Sequence, residues 1–500
     1  MTDPLDNFRR DAKALHTSYD AMDAEARARV EMYVKPDKLL KHADFLHVIA
    51  REQTFATWPA MKDAITRLGM DRAARQRRME IAVINGSTAV IRDLAFDDPG
   101  VSEGNPMLAI ALCEVDHVQR WLAKTPDAAT QILSPRGRPI HQLAFSRVLQ
   151  VWPKRAADML SVAAMLVDAG ADVSDVYKAA PETMYGKVTP LYGAIGFANN
   201  MVLAQWLLDQ GANPTDPEAL YHGCEIGHAE GIRMLCKAGA DPNGTNALKR
   251  AMDFDDPEMV GLLLDAGTDP NEGHDGWTSL HHAALRMSSS EVCDLLLKAG
   301  ADPSVIGHGI SAYSAAKVYG NHALAQMMEP VPLSPEEELL AQAVTGDVPD
   351  GTYIDPNKLP EIYLGLVREF AGAPAKLDHL KALIKIGMPW DRGDGSGVTP
   401  VQIAGWQGQP EMLAYFLGLK PDLGHRNAYG GGIIGSTLNG AMNNPERAGR
   451  DYVECLRLIL EEGVALPQNA IWVSGLPEVN AFLQDWAKRF PQQVIKHGFP

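Results

Sequence analysis

Apolar residues between positions 275 and 303 recur at the three- and four-residue intervals that place side chains on one face of an α-helix. The pattern predicts two short helices, the first beginning at Thr278 and the second carrying the apolar positions between 292 and 297. Gly300 can adopt the left-handed conformation that ends a helix, and Pro303 cannot extend one. Neither helix can bury its apolar face alone, so the pattern predicts neighbouring copies of the same unit.

Glycine-containing loops that follow the second helices support this repetition. They begin at Gly170, Gly211, Gly239, Gly267 and Gly300, so their separations are 41, 28, 28 and 33 residues. Both 28-residue units keep an apolar second helix, which indicates that the missing residues come from the turn between repeats. The 41-residue unit has a longer turn instead. Such changes in loop length cost little stability, and we expect them at the surface.

Within this stretch Thr278, Leu280, His281, Ala283 and Ala284 match the T-P-L-H-x-A-A signature, and so the chain resembles the ankyrin repeat family. Serine stands at 279 in place of the usual proline, and weaker copies begin at Arg138, Thr189 and Thr399. The resemblance implies an all-α fold, an ankyrin-repeat solenoid of stacked helix pairs with short β-turn fingers and a helical N-terminal cap. It also implies that His281 links neighbouring repeats by hydrogen bonds, in a structural role that we also assign to His282.

The pattern changes along the chain and predicts four regions. Residues 1–78 form charged helices with an apolar stripe around Phe45, and they resemble the helical segment ahead of the repeats in many bacterial ankyrin proteins. We expect this segment to cap the array, which occupies residues 79–330 and is most regular at 170–330. Residues 331–376 are rich in proline and form an irregular connector or a degenerate repeat. Residues 377–500 contain degenerate repeats and a C-terminal cap.

Composition narrows the classes of partner and location. The formal net charge is -17, which opposes binding to nucleic acid or to an anionic membrane and favours a basic or a mixed polar and apolar protein partner. No apolar run approaches the roughly 18 residues of a membrane helix. The N-terminus shows no secretory signal, and the five scattered cysteines suit reduced thiols, so we expect a cytoplasmic monomer. A basic patch at residues 72–78 predicts a solvated face or an ion-pair partner for acidic neighbours.

Three motifs in the sequence partly resemble sites for a cofactor or metal. Gly430, Gly431, Gly432 and Gly435 fit G-x-G-x-x-G but lack a preceding buried strand, so they predict a turn. The cluster of His222, Cys224, His228 and Cys236 lacks the spacing of a zinc site, which leaves core thiols and a turn histidine. The loop with Asp391, Asp394 and Ser396 lacks the glutamate of a calcium loop, because position 402 is Gln. We therefore predict no catalytic, cofactor or metal site.

The family resemblance implies a curved scaffold that binds a protein partner through its fingers and its concave inner helices, without turnover. Aromatic and histidine side chains at finger turns are not needed to pack the core, so they can anchor a partner. The predicted partner-binding residues are Tyr185, His274, Trp277, Trp390 and Tyr429. The alternative is an enzyme or toxin-like effector whose activity resides in residues 1–78 or 331–376, although both segments are short for a catalytic domain.

Overall fold

The computed structural model describes residues 4–35, 40–178, 187–346, 348–444, 447–472 and 476–496. It divides into two compact units, residues 1–247 and residues 248–500. Within the described residues, helices dominate and strands are confined to three two-stranded sheets. None of the described helices combines the length and the apolar composition that a membrane span requires.

The first unit contains fifteen α-helices and one hairpin among its described residues. The helices are α1 Pro4–Asp20, α2 Ala24–Glu31, α3 His42–Glu52, α4 Trp58–Leu68, α5 Arg72–Asn85, α6 Thr88–Asp97, α7 Pro106–Ala111, α8 Val115–Lys124, α9 Pro139–Ala144, α10 Val148–Val151, α11 Ala156–Asp168, α12 Pro190–Tyr192, α13 Met201–Asp209, α14 Pro217–Gly223 and α15 Glu230–Lys237. Strands β1 (Tyr177–Lys178) and β2 (Lys187–Val188) are antiparallel, with Tyr177 opposite Val188.

The second unit begins within α16, and its helices are α16 Ala247–Asp253, α17 Pro257–Asp265, α18 Ser279–Arg286, α19 Ser290–Lys298, α20 Ala312–Tyr319, α21 His322–Met327, α22 Pro335–Thr345, α23 Leu366–Phe370, α24 Leu377–Lys385, α25 Pro400–Trp406, α26 Pro410–Gly418, α27 Ile433–Asn443, α28 Tyr452–Glu461 and α29 Pro477–Arg489. Strands β3 (Ile306–Gly307) and β4 (Ile310–Ser311) are antiparallel, whereas β5 (Leu466–Pro467) and β6 (Val494–Ile495) are parallel.

The N-terminal helices enclose a small apolar core. Phe45, Val48 and Ile49 of α3 are buried with Leu15 of α1 and Val30 of α2. These α3 residues belong to the apolar stripe that the sequence predicts around Phe45. The assignment of this segment as a cap remains a prediction.

The repeat loops have the conformation that their glycines predict. Backbone φ angles lie between 88° and 95° at Gly170, Gly211, Gly239, Gly267 and Gly300. This left-handed region is open to glycine and costly for other residues. Two residues after each of these glycines stands an Asp or Asn, whose side chain accepts a hydrogen bond from a backbone N–H in the same loop. In the last loop, for example, the Ser304 N–H donates to Asp302 over 2.8 Å. One loop geometry therefore closes five successive helix pairs.

Finger length varies as the loop spacing predicts. The 41-residue unit carries the β1–β2 hairpin, whose tip at residues 179–186 lies outside the described residues. In the next unit α14 begins at Pro217, only six residues after Gly211, so most of the finger is missing while α15 is intact. The regular repeat keeps its finger, and α18 begins after Thr278 as expected.

Residues 331–376 are packed into the second unit. Ser334 caps α22 by accepting a hydrogen bond from the Glu337 N–H over 3.2 Å, while the Glu337 carboxylate accepts from the Ser334 N–H over 2.9 Å. Tyr363 is fully buried, and its hydroxyl donates to Glu337 over 3.3 Å. The proline-rich stretch therefore supplies a helix and a buried aromatic anchor to the helical stack.

Candidate functional site: the finger and first helix of the regular repeat

His281 ties the start of α18 to the following finger. Its Nδ1 atom accepts a hydrogen bond from the Thr278 N–H over 3.3 Å, so Nε2 carries the proton and donates to the Ile310 carbonyl over 3.1 Å. The side chain is fully buried, and this burial lowers its pKa, which keeps the ring neutral. The structural role expected from the resemblance is confirmed by this geometry.

Two other repeats contain the same pair of hydrogen bonds. His141 accepts from the Arg138 N–H and donates to the Asp175 carbonyl, both over 3.3 Å. At residue 402 a glutamine replaces the histidine: its Oε1 accepts from the Thr399 N–H over 3.2 Å and its Nε2 donates to the Gly431 carbonyl over 3.1 Å. The position needs one acceptor and one donor, and it does not need a titrating ring.

The finger before α18 presents its side chains differently. Gly273 precedes a short 3₁₀ turn, His274–Gly276, in which Asp275 has a φ of 50°. The His274 side chain is 92% exposed and lies 3.0 Å from the Asp275 carboxylate. The Trp277 ring is half-buried and lies 5.1 Å from the His281 ring and 5.6 Å from the His308 ring, measured between centroids. Trp277 therefore contributes to packing, whereas His274 does not.

The other predicted contact residues lie at separate turns. Trp390 is half-buried after α24. Tyr429 is 78% exposed in the turn before α27, where its hydroxyl oxygen accepts a hydrogen bond from Ser396 over 3.4 Å. Tyr185 lies outside the described residues. The binding role of all five side chains remains a prediction.

A charged cluster centred on Asp253 joins α16 and α18. The Asp253 carboxylate lies 2.9 Å from His282 Nε2, 2.7 Å from Arg286 Nε and 3.0 Å from Arg250 Nη1. Burial raises the pKa of Asp253, but the hydrogen bonds from His282 and Arg250 and the charge of Arg286 outweigh it and lower the pKa to about 2. The cluster fixes both arginines on the surface of the first helices, where the Arg286 side chain stays 47% exposed.

The cysteine and histidine cluster of the first unit has structural contacts. The Cys224 thiol is buried and lies 3.3 Å from the Leu220 carbonyl and 3.6 Å from the Ala247 carbonyl. His222 contacts the Glu225 carboxylate over 2.9 Å, while His228 contacts the Asn199 side chain over 2.9 Å. The contacts of Cys224 and His228 fit the core thiol and the turn histidine inferred from the spacing, whereas Cys236 is only half-buried.

The two loop motifs also form turns. Gly430 has a φ of 77° in the turn before α27, and the Asn427 side chain accepts hydrogen bonds from the Tyr429 and Gly431 N–H groups. Asp394 accepts from the Ser396 and Val398 N–H groups, each over 2.9 Å. Both motifs therefore use their polar atoms to hold a finger in place.

The basic patch on α5 is engaged in ion pairs. Arg72 pairs with Asp98 and Glu103, Arg75 pairs with Asp98, and Arg78 pairs with Asp63. Three of the four arginines therefore act as ion-pair partners, whereas Arg77 is exposed on the solvated face of the helix. These contacts leave less free positive charge for a nucleic-acid backbone than the sequence suggests.

Two groups were missed by reasoning from the sequence. Asp253 lies in a unit with a shortened finger, where the first helix lacks the signature, so its pairing with His282 was not foreseen. Trp406 lies at the end of α25, and its indole Nε1 donates to Asn439 Oδ1 over 3.1 Å. A signal was available, because Trp406 falls two residues after Ala404 and therefore outside the buried stripe of that helix.

Comparison with known proteins bears on the same region. The sequence model described as ankyrin repeats (3 copies) matches residues 191–273 and residues 241–306. Together these matches contain α18, its finger and the charged cluster. No curated protein matches the chain in sequence.

Two solved structures are similar to part of the chain. The human ASB11 ankyrin repeat domain is 22% identical in sequence and has a TM-score of 0.35. The match covers 46% of this chain and 100% of the ASB11 domain. The ankyrin repeat domain of Bcl-3 is 23% identical in sequence and has a TM-score of 0.34; Bcl-3 is described as a unique member of the IkappaB protein family. The match covers 42% of this chain and 92% of the Bcl-3 domain.

Proposed function

Because the chain carries ankyrin repeats at residues 191–306, we propose that it is a non-catalytic scaffold that binds a protein partner through the repeat fingers and the concave face of the first helices. The observation that carries the proposal is the division of roles in one repeat. Thr278 and His281 are buried, and His281 bonds to the following finger, whereas His274 and Arg286 project into solvent from the same finger and helix.

The exposed groups have the chemistry of a protein interface. Tryptophan, tyrosine and arginine contribute most of the binding energy at typical interfaces, because they combine a large contact area with hydrogen bonding. Trp277, Tyr429 and Arg286 supply all three types at turns or on first helices. Each is held by contacts within the chain, so ordering these side chains costs less when a partner binds.

The proposal is tested with matched variants of the full-length chain. A tagged wild-type chain first captures partners from a lysate, and the captured protein is then purified for affinity measurements. We expect His274→Ala to weaken binding without changing the melting temperature, because this side chain is 92% exposed. Trp277→Ala should weaken binding and lower the melting temperature, since the ring also packs on His281. A matched control is Val202→Ala, an exposed apolar position on α13.

The decisive result is the effect of these changes on affinity. If the Trp277 and His274 variants both bind as tightly as wild type, the finger is a packing element and the proposed surface is wrong. Turnover that persists in these variants, with no protein captured, would instead favour the enzyme or effector alternative in residues 1–78 or 331–376.

We also propose a cytoplasmic monomer. All five cysteines are free, and four of them are buried, which suits a compartment where thiols stay reduced. Burial raises the pKa of Cys113 and Cys455 to about 12 each, so these thiols are poor nucleophiles at neutral pH. Their chemistry is that of small apolar side chains.

A further inference from the structure

A cavity of about 580 Å³ lies in the second unit between α25, α27 and the turn before α27. Its walls include Ile403 and Trp406 from α25, Met442 and Asn439 from α27, and Tyr429 from the turn. Among the described residues, none of those lining this cavity carries a charge, although 22% of the chain is charged. The site therefore differs in character from the surface around it.

The two helices that line the cavity approach each other closely. A Cβ atom on Gly440 would lie 1.9 Å from the Trp406 carbonyl oxygen, and one on Gly405 would lie 2.4 Å from Thr437 Oγ1. This approach leaves no room for a large side chain between the helices, so the Trp406 ring projects past the contact. The hydrogen bond of its Nε1 atom to Asn439 then fixes the ring beside the cavity.

The turn supplies the opposite wall in a fixed position. Asn427 holds the turn through hydrogen bonds from two backbone N–H groups, and Ser396 donates to the Tyr429 hydroxyl oxygen. The two aromatic residues are thus positioned before any ligand arrives, which reduces the entropy lost on binding.

Neutral polar groups surround these apolar walls. In the part of the chain that the structure describes, the amide Nδ2 of Asn439 and the hydroxyl of Ser436 have no hydrogen-bond partner, although both residues line the cavity. Such groups can bond to the carbonyl and N–H groups of an extended peptide. A charged ligand group would lose its hydration here without gaining an opposite charge.

We propose that this cavity binds an uncharged aromatic side chain presented by an extended segment of a protein partner. This assignment rests on the proposed function, in which the partner is a protein. Aromatic rings pack favourably against the indole and phenol walls, and Met442 adds a polarisable thioether. The cavity is open beside Tyr429, which is 78% exposed. A free small molecule would remain partly solvated there, whereas a peptide can lay its backbone across the opening.

The test uses the purified full-length chain and short capped peptides. The probe is acetyl-Ser-Gly-(4-fluoro-Phe)-Gly-Ser-amide, whose ¹⁹F signal reports binding by line broadening. We expect saturable binding with a Kd on the order of 1 mM, a scale that corresponds to a single anchored side chain. Peptides with Glu or Lys in place of the aromatic residue should fail to compete. The small compound 4-fluorobenzyl alcohol should bind at least about tenfold more weakly than the peptide.

Two variants connect the binding to this cavity. Tyr429→Ala removes an exposed wall, and Asn439→Asp removes an amide donor and adds a negative charge while keeping the acceptor for Trp406. Each variant should bind the peptide about tenfold more weakly than wild type. Melting temperatures of the variants are compared with that of wild type. Tyr353→Ala is the matched control, because this tyrosine is 70% exposed and does not line the cavity.

Several results would overturn the assignment. These are equal competition by the Glu or Lys peptide, equal or tighter binding of the small compound, absence of any saturable peptide signal, or unchanged peptide affinity in the Tyr429 and Asn439 variants. Peptide binding needs no cellular partner, so its failure is separate from a failure to capture a protein. Conversely, a chain that binds the peptide but captures no protein would contradict the proposed function and leave the aromatic site in place.

Discussion

Gly440 allows α27 to approach α25 closely, and its replacement by alanine gives a quantitative test of the structure. The glycine lies inside α27, where an added Cβ would meet three backbone atoms of Trp406: the oxygen at 1.9 Å, the carbonyl carbon at 2.6 Å and Cα at 2.8 Å. None of these belongs to a flexible side chain that could move aside. The methyl group can be accommodated only if one helix shifts.

The expected cost follows from two opposing terms. Alanine is favoured over glycine inside a helix by about 1 kcal/mol. An ordinary carbon–oxygen contact is about 3.4 Å, so α27 must move by roughly 1.5 Å, which loosens its packing along α25. Overpacking of this kind costs about 1–3 kcal/mol or more, and a clash with backbone belongs at the upper end. We therefore expect Gly440→Ala to lower the free energy of unfolding by about 2 kcal/mol.

The matched control is Gly261→Ala. Gly261 also lies inside a helix, α17, but a Cβ there would meet nothing within 4 Å. Only the helix propensity changes at this position, so we expect a gain of up to about 1 kcal/mol. Urea unfolding of both variants, followed by circular dichroism, measures the two shifts in midpoint. Opposite signs support the close helix contact. A Gly440 variant as stable as the Gly261 variant would show that α25 and α27 do not meet as described.

Three further predictions concern buried or half-buried polar side chains in the second unit. His281→Gln should retain most of the stability because Gln402 makes the same two bonds, whereas His281→Leu should cost about 2–3 kcal/mol by leaving buried backbone groups unsatisfied, as thermal melts will show. Asp253→Asn should cost about 1 kcal/mol at pH 7, after allowance for screening by solvent. Because the folded pKa of Asp253 is lowered to about 2 from 3.8, this difference should persist above pH 3.8 and disappear as the pH falls through 2, and equal stabilities at pH 7 would refute the pairing. Asn321→Asp should cost about 2 kcal/mol in urea unfolding, since it keeps the cap on Leu324 but turns a donor to two carbonyls into an acceptor, and an unchanged midpoint would contradict this geometry.

The periodic part of the fold was predictable because its signals are local. Thr278 begins a helix as expected, and Gly300 adopts the left-handed conformation that its position after α19 predicts. One long-range contact recurs at the same separation in two repeats: His281 and Ile310, and Gln402 and Gly431, are each separated by 29 residues. The corresponding pair His141 and Asp175 is separated by 34 residues, so the offset varies with the length of each unit.

The candidate sites were harder to predict because they depend on unequal repeats. With finger lengths that differ between units, an alignment by the signature does not place Asp253 opposite His282. The cavity beside Trp406 depends on the distance between two helix backbones, which is set by Gly405 and Gly440 together. A glycine within a helix can lie at an exposed position without contacts or at a close contact between helices. The sequence carries no local signal that separates the two.

The position of His281 shows how degenerate repeats can keep the same frame without the same residue. Histidine and Gln402 both accept from the first residue of the repeat and donate to the following finger. Glu337 accepts from Ser334 in the same way, but a carboxylate has no donor, so the following segment must supply one. The buried hydroxyl of Tyr363 does so over 3.3 Å, and burial raises the pKa of Tyr363, which keeps its proton in place. The link between neighbouring segments is thus kept with donor and acceptor exchanged. Residues 331–376 can therefore pack into the unit without the histidine of the signature.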